Sequence, residues 1–224
     1  MSPSRSQNST TSRFTGRILG AGSASGTRVV LGWWRRTPFG DFADVMVERA
    51  DGHRVLLAPT AEVRDFVAAT YQFDECRLES VDVVWEPGAV RVTTPSLTLG
   101  AQLGRRSALG WLLRAVPRPL ATSTRLSIVT DPVARIFLRG VRTRGTAGGG
   151  RREFYGATDV RRVTGLSATF DGEDLGSLRP VWPPTRFGFS STPRTPSVTE
   201  VTTTVVHQAD GNSSPAPADP NLRR

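Results

Sequence analysis

The sequence predicts an α+β fold that is mainly β, an antiparallel sheet or barrel with about two packed helices. Short stretches rich in Val, Ile, Thr and aromatic residues recur along the chain. Turn residues separate them, since the 224 residues include 22 Gly and 16 Pro. Only two stretches show the period of an amphipathic helix. Strands and helices do not alternate regularly, so a doubly wound nucleotide-binding fold is not expected.

The first elements are a strand, a hairpin and a helix. Val, Leu and Trp are concentrated in residues 28–34, which predicts a strand. Residues 43–48 and 54–58 flank an Ala-Asp-Gly turn and predict a hairpin. Thr60, after a proline, begins the first helix. Its stripe at i, i+3, i+4 and i+7 consists of Val63, Phe66, Val67 and Thr70.

Strands and a second helix follow. Residues 78–86 alternate in polarity and predict one strand, which a Pro-Gly turn returns to a strand at residues 90–94. Residues 97–103 alternate in the same way. Ser107 is suited to cap a helix that ends at Pro117. The apolar stripe of this helix is Leu109, Leu112, Leu113 and Val116.

The rest of the chain predicts further strands and two polar ends. The strands are expected at residues 126–129, 135–138, 153–155, 161–170 and 198–207. Proline-rich residues 179–186 predict an extended loop. Residues 1–12 and 208–224 are polar without an apolar period, so they predict a disordered arm and a disordered tail. A single β-rich domain is therefore expected over residues 13–207.

Residue types exclude several chemistries. All 29 basic residues are arginine. Without lysine there is no Schiff-base nucleophile, no site to attach pyridoxal phosphate and no standard P-loop. Two histidines and one cysteine are too few for the usual Cys/His zinc sites. Neither a metal nor a cofactor is predicted.

The same composition predicts a cytoplasmic protein without a membrane partner. No apolar run approaches the ~20 residues that span a bilayer. The first residues contain no apolar core of a secretory signal. Cys76 is the single cysteine, so no internal disulfide forms, which fits a reducing compartment.

Positive charge is concentrated in one region. Residues 1–100 contain 11 arginines and 11 acidic residues, whereas residues 105–162 contain 13 arginines and three acidic residues. This asymmetry indicates an acidic partner, which is a nucleic acid, a small anionic ligand or a negative protein surface. A solvated basic face, produced by a codon bias toward arginine, is the alternative.

An arginine-framed glycine loop is the main candidate site. Arginine binds phosphate or carboxylate through two N–H groups, and glycine lets a ligand approach the backbone. Aromatic residues just after the loop could stack on a base. The alternative is a surface hairpin with solvated arginines. The candidate ligand-binding residues are Arg142, Arg144, Arg151, Arg152, Tyr155, Arg161 and Arg162.

Two other segments resemble functional motifs. Residues 20–26 are rich in glycine, but a strand and not a helix follows them, so a loop or β-turn is predicted instead of a phosphate site. Cys76 lies between acidic residues that oppose thiolate formation, so a buried or inert thiol is predicted.

The candidate acid–base groups are few. Asp44 and Glu48 share a face of a strand, and Asp41 lies nearby. Such carboxylates could act as acid and base, or they could pair with arginines. His53 lies two residues after Asp51, beside the hairpin turn, and is the alternative base. No catalytic residue is predicted.

Residues 37–48, Thr-Pro-Phe-Gly-Asp-Phe-Ala-Asp-Val-Met-Val-Glu, resemble the early strand of acetoacetate-decarboxylase-like proteins. The resemblance implies a β-rich cone or barrel around a pocket for small acidic ligands. The catalytic lysine of that family has no counterpart here, which excludes decarboxylation by that route. A second resemblance, to a protein family of high-GC actinobacteria, implies a source and no activity. It covers residues 131–204, with its main matches at 140–144, 152–155 and 188–189.

These observations favour a non-catalytic domain that binds a small anionic ligand in a β-rich pocket. Two alternatives stay open. The first is nucleic-acid binding through the arginine-rich residues 105–162. The second is an enzyme that uses a carboxylate or a histidine as acid or base. The sequence predicts neither the ligand nor the oligomeric state.

Overall fold

The computed structural model describes residues 9–116, 144–146, 151–188 and 192–208. In these ranges the strands are β1 (Ser9–Ser23), β2 (Arg28–Arg36), β3 (Phe42–Glu48), β4 (Arg54–Ala58), β5 (Glu75–Leu78), β6 (Asp82–Glu86), β7 (Ala89–Thr93), β8 (Leu97–Arg106), β9 (Arg144–Thr146), β10 (Arg151–Phe170), β11 (Glu173–Asp174), β12 (Leu178–Arg179) and β13 (Ser197–Gln208). The helices are α1 (Ala61–Ala68) and α2 (Ala108–Ala115).

All of these strands belong to one sheet. Its order is β5-β4-β3-β2-β1-β13-β10-β8-β7-β6, while β9 and β11 pair with β10, and β12 pairs with β1. The pairings between described strands are antiparallel, apart from the parallel pair β4–β5. The sheet curls into a half-barrel. The predicted class, α+β and mainly β with about two helices, is confirmed.

The inner face of the curled sheet carries the larger core. Residues directly opposite each other on antiparallel strands point to the same face, so Leu31 on β2 meets Leu19 on β1 and Val45 on β3. All three are at most 1% exposed. Side chains from β7 and β8 complete this core, including Val90 and Leu99.

The outer face of β3 and β4 is covered by α1. Thr60 caps the helix as predicted, because its hydroxyl accepts a hydrogen bond from the Val63 N–H at 3.2 Å. Val63 and Val67 then pack on Leu56 and Ala58 of β4. The predicted stripe therefore faces the sheet, and it holds α1 in place by burying apolar surface.

The second helix packs against β10. Ser107 caps α2, since its hydroxyl accepts from the Gly110 N–H at 3.0 Å. Gly110 allows the close contact, because a Cβ at this position would lie 2.3 Å from the Val160 carbonyl oxygen. The predicted stripe is wrong at Leu112, which is 65% exposed. Helix packing here requires the smallest residue, which an apolar period does not indicate.

The predicted single strand at residues 78–86 is wrong. β5 ends at Leu78 and β6 begins at Asp82. β5 pairs with β4 at one end of the sheet, and β6 pairs with β7 at the other end, so the chain must cross between the two ends at residues 79–81. Half-buried and exposed residues alternate in the same way in both strands, so the sequence pattern shows no break between them.

Two predicted strands at residues 153–155 and 161–170 form one strand, β10. A bulge between Ala157 and Asp159 shifts its register against β13. Asp159 interrupts the apolar pattern, and the Arg106 guanidinium binds its carboxylate at 2.8 Å. Because this charged residue interrupts the alternation, the sequence predicts two strands where the structure has one.

The ends of the domain differ in part from the prediction. β1 begins at Ser9, which pairs with Gln208 of β13, so residues 9–12 of the predicted arm belong to the sheet. The rest of the arm and of the tail, and the strands predicted at 126–129 and 135–138, lie outside the described residues. The domain boundaries therefore stay a prediction. Within the described ranges, no helix is long and apolar enough to cross a membrane.

Candidate functional site

A surface pocket of about 270 Å³ opens between the end of β1, the start of β2 and the proline-rich loop after β12. Its lining contains three arginines and no acidic residue. The lining residues are Gly22, Ser23, Ala24, Gly26, Thr27, Arg28, Arg179, Pro180, Trp182 and Arg194.

The turn that forms one wall is built by the glycine-rich segment at residues 20–26. Its first four residues belong to β1, and the chain then reverses into β2. Ser23 closes the turn, because its hydroxyl donates to the Thr27 carbonyl at 2.8 Å and the Gly26 N–H donates to the Ser23 carbonyl at 3.1 Å. Gly26 has a φ of +85°, which favours glycine. The predicted turn is confirmed, and the predicted loop before it is strand.

Gly22 brings two arginines to this pocket. It lies opposite Arg28 of β2 on one side and opposite Arg179 of β12 on the other. A Cβ at this position would lie 2.2 Å from the Pro180 carbonyl oxygen, so only glycine lets the loop approach β1 this closely. The glycine therefore shapes the pocket through packing.

Arg28 is the buried arginine of the pocket lining, whereas Arg179 and Arg194 are exposed. Its side chain is 4% exposed, and its Nη2 group lies 3.1 Å from a Glu48 oxygen and 3.3 Å from the Arg49 carbonyl oxygen. Among the described residues, its buried Nε has no hydrogen-bond partner. A buried N–H without an acceptor is costly, so this group offsets part of the stability that the Arg28–Glu48 ion pair contributes.

Glu48 holds Arg28 in place from behind the pocket. Its carboxylate is fully buried and also accepts from the Arg186 side chain at 3.0 Å and from the Arg186 backbone N–H at 2.8 Å. Glu48 therefore ties β3 to β2 and to the proline-rich loop. The arginine pairing anticipated for this carboxylate is confirmed.

The outer wall of the pocket is more open. The Arg194 guanidinium stacks over the Trp182 ring at 4.8 Å, and Trp182 is 54% exposed. Neither Arg179 nor Arg194 has an acidic partner within ion-pair distance in the described part of the chain. Within the described residues, no ion pair therefore compensates the positive charge at this opening.

Of the arginines predicted to form the site, the structure describes the side chains of Arg161 and Arg162. Arg142 falls outside the described residues, and Arg144, Arg151 and Arg152 have described backbones only, in the pair β9–β10. Arg161 and Arg162 are exposed on β10 and do not line the pocket. Their role as ligand-binding residues stays a prediction.

Tyr155, the aromatic member of the predicted site, is half-buried. Its hydroxyl lies 2.7 Å from the hydroxyl of Tyr71, which follows α1. The bond fixes the tip of the ring and links β10 to the α1 region. A ligand that stacks on this ring would have to approach one of its faces.

Asp44 is the second buried carboxyl group of β3. It is 1% exposed, and its Oδ1 accepts from the Trp34 indole N–H at 2.9 Å. Its Oδ2 has no partner among the described residues. Burial raises the pKa of Asp44 to about 7, and the Trp34 hydrogen bond lowers it only in part. The arginine partner anticipated for Asp44 is absent from the described residues.

His53 and Asp41 have separate surroundings. Asp51 accepts from the backbone N–H of His53 at 2.8 Å and so does not orient the ring. The ring Nε2 lies 3.4 Å from Glu75, and the side chain is 42% exposed. Asp41 pairs with Arg35 at 3.1 Å on the surface. The candidate acid–base groups thus contact different partners.

Cys76 is exposed, so the prediction of a buried thiol is wrong. Partial burial raises the pKa of the thiol, Arg64 lowers it, and Asp65 and Glu75 raise it again. A raised pKa disfavours the reactive thiolate, as expected for an inert cysteine. Within the described ranges, no group of three or more His, Cys, Asp and Glu side chains is arranged to hold a metal ion.

The pocket residues were not predicted as a site, although two signals pointed toward them. The glycine-rich turn is followed directly by Arg28, and the proline-rich loop contains Arg179 and Trp182. Considered alone, the first segment predicts a loop or β-turn and the second an extended loop, and neither predicts a binding site. Only the pairing of β1 with β2 and β12 brings them together.

No family model and no curated protein matches the chain. Two solved structures of acetoacetate decarboxylase are similar in fold. One, from Legionella pneumophila subsp. pneumophila, is 9% identical with a TM-score of 0.42, over 93% of this chain and 90% of that one. The other is 6% identical with a TM-score of 0.45, over 92% and 88%. At these identities and TM-scores, no conclusion about the family or the activity of this chain follows from the likeness.

Proposed function

We propose that this protein is a non-catalytic domain that binds a small anionic ligand in the pocket lined by Arg28, Arg179 and Arg194. One observation carries the proposal. The pocket contains three arginines and no acidic residue in its described lining. An anion would accept hydrogen bonds from arginine N–H groups and would balance the charge at the opening.

The geometry suits a small ligand. Pockets for drug-sized molecules have volumes of about 300–1,000 Å³, and this pocket lies just below that range. Glu48 fixes Arg28 before any ligand arrives, so little side-chain entropy is lost when Arg28 donates to an anion. The lining contains no histidine, cysteine or carboxylate that could act as acid, base or nucleophile.

Calorimetric titration with inorganic phosphate and with citrate at low ionic strength tests this proposal. We expect both anions to bind the natural protein. The double variant Arg179→Gln/Arg194→Gln should weaken binding by at least tenfold, because each lost charge-assisted contact contributes about 1.5–3 kcal/mol. The matched control Arg13→Gln/Arg36→Gln removes two exposed arginines that do not line the pocket and should leave affinity unchanged.

The same titration separates this pocket from the site predicted by sequence. If Arg161→Gln/Arg162→Gln abolishes binding while the pocket variant does not, the anion binds near residues 142–162 and the pocket assignment is wrong. If neither anion binds the natural protein, the proposal of a small-anion binder fails.

Nucleic-acid binding is the second candidate. Arg105 on β8 and Arg161 and Arg162 on the neighbouring β10 are exposed, and no described acidic residue pairs with them. Exposed arginines of this kind could contact a phosphate backbone. Binding of a single-stranded oligonucleotide should then weaken steeply with salt, by about one log unit per log of salt for each phosphate neutralised. Salt-independent binding, or none, would exclude it.

A further inference from the structure

The charges around the proposed pocket are unequal in a way that selects among anions. Arg28 is balanced by the buried Glu48 behind it. Arg179 and Arg194 have no acidic partner in the described part of the chain. Neither positive charge at the opening is therefore paired within the described ranges, and a ligand with two negative charges matches them best.

Trp182 is the largest apolar side chain of the pocket lining. It is 54% exposed, which is unusual for so large an apolar side chain. The Arg194 guanidinium lies over its ring at 4.8 Å, so the indole and an anion-binding arginine are held side by side. Aromatic rings and guanidinium groups both stack on planar groups.

From these two features we infer that the ligand is a dianion joined to a planar ring, of the class of an aromatic phosphomonoester. The phosphate would lie between Arg28, Arg179 and Arg194, and the ring would contact Trp182. This inference rests on the proposed function, since it specifies the ligand of the same pocket.

The pH dependence of binding would report the ligand's own charge. The lining residues contain no histidine, aspartate, glutamate or cysteine, and Glu48, the carboxylate that pairs with Arg28, is fully buried. A phosphomonoester gains its second charge with a pKa of about 6. Affinity should therefore rise as the pH increases from about 5 to about 7, and then level off.

Calorimetric titrations with three probes, phenyl phosphate, inorganic phosphate and benzoate, test the inference. We expect phenyl phosphate to bind roughly tenfold more tightly than inorganic phosphate, because of ring stacking. Benzoate, with one charge, should bind at least tenfold more weakly than phenyl phosphate. Trp182→Leu should remove the advantage of phenyl phosphate over phosphate, and circular dichroism checks that the variant is folded. The control Trp111→Leu changes a tryptophan that is 62% exposed and outside the pocket, and it should change neither affinity.

The outcomes distinguish the inference from the proposed function. Equal affinities for phenyl phosphate and phosphate would overturn the ring contact and leave anion binding intact. Equal affinities for benzoate and phenyl phosphate would overturn the preference for a dianion. If none of the three probes binds, and citrate does not bind either, the proposed function fails and the inference fails with it.

Discussion

Glu48 and Asp44 lie on the same face of β3, four residues apart, and both are at most 1% exposed. Their surroundings differ completely. Glu48 forms ion pairs with two arginines, whereas Asp44 accepts a hydrogen bond from Trp34 and has a second oxygen without a partner among the described residues. The pair shows two ways of burying a carboxyl group in one strand. Countercharges compensate one, and a proton neutralises the other.

The largest effect is expected from Glu48→Gln. It would leave Arg28 buried without its countercharge, and breaking one side of a buried pair costs about 3–5 kcal/mol of unfolding free energy. Urea denaturation at neutral pH measures this loss. Asp41→Asn is the control, because the exposed Asp41–Arg35 pair should contribute less than about 1 kcal/mol. A loss for Glu48→Gln no larger than that of the control would contradict the role of Glu48.

Asp44→Asn should have a slightly smaller effect of opposite sign, which grows as the pH rises from about 4 to about 7. The pKa of Asp44 is about 7 in the folded protein and 3.8 as a model value, so the folded state binds the extra proton between these values. Stability contributed by that proton is present at low pH and is lost as the pH rises from about 4 to about 7. At about pH 8, Asp44→Asn should therefore be more stable than the natural protein by roughly 3–4 kcal/mol.

Urea denaturation of both proteins across the pH range measures this difference. Near pH 4 the two proteins should be almost equally stable, because Asp44 is then neutral. Other acidic groups contribute equally to both proteins, so their contributions cancel when the two free energies of unfolding are subtracted. A difference that does not change with pH would show that Asp44 is already charged in the folded state.

Arg186→Gln probes the exposed partner of Glu48. The Arg186 side chain is 68% exposed. In the variant, Glu48 would still pair with Arg28 and accept a hydrogen bond from the backbone N–H of residue 186. We expect a loss of about 1–2 kcal/mol, well below that of Glu48→Gln, because water replaces the lost guanidinium in part. Equal losses for the two variants would mean that Arg28 contributes little to burying Glu48.

Trp34→Phe should have the smallest effect, about 1 kcal/mol, through the lost hydrogen bond to Asp44. Because this bond lowers the pKa of Asp44, its removal should move the pH-dependent loss of stability to a higher pH. The midpoint of the difference between Trp34→Phe and Trp34→Phe/Asp44→Asn across pH measures the shift. An unchanged midpoint would show that the hydrogen bond does not affect the proton.

Elements built by near neighbours were predictable, and those built by distant ones were not. The β3–β4 hairpin and the start of α1 depend on a turn and a cap within a few residues, and both match the sequence prediction. The break between β5 and β6 depends on pairing at opposite ends of the sheet, which leaves no trace in the local pattern.

The pocket was missed for a related reason. A charge count favours dense basic segments, whereas the pocket takes single arginines from residues 28, 179 and 194. The sequence also does not show which charged side chains are buried or what surrounds them. Asp44 and Glu48 were recognised as a pair on one face, but their different partners depend on Trp34 and on Arg186, which lie on other segments.

The pairing of β1 with β13 places the start and the end of the described chain side by side, with Ser9 opposite Gln208, in the middle of the sheet. The two edges of the sheet, β5 and β6, are joined by only residues 79–81. A circular permutant could therefore join residue 208 to residue 9 by a short linker and open the chain at residue 80. Every strand would keep its neighbours, and the central pair would become a hairpin between residues close in sequence. Because folding slows when contacts are distant in sequence, this rearranged chain should fold faster than the natural one.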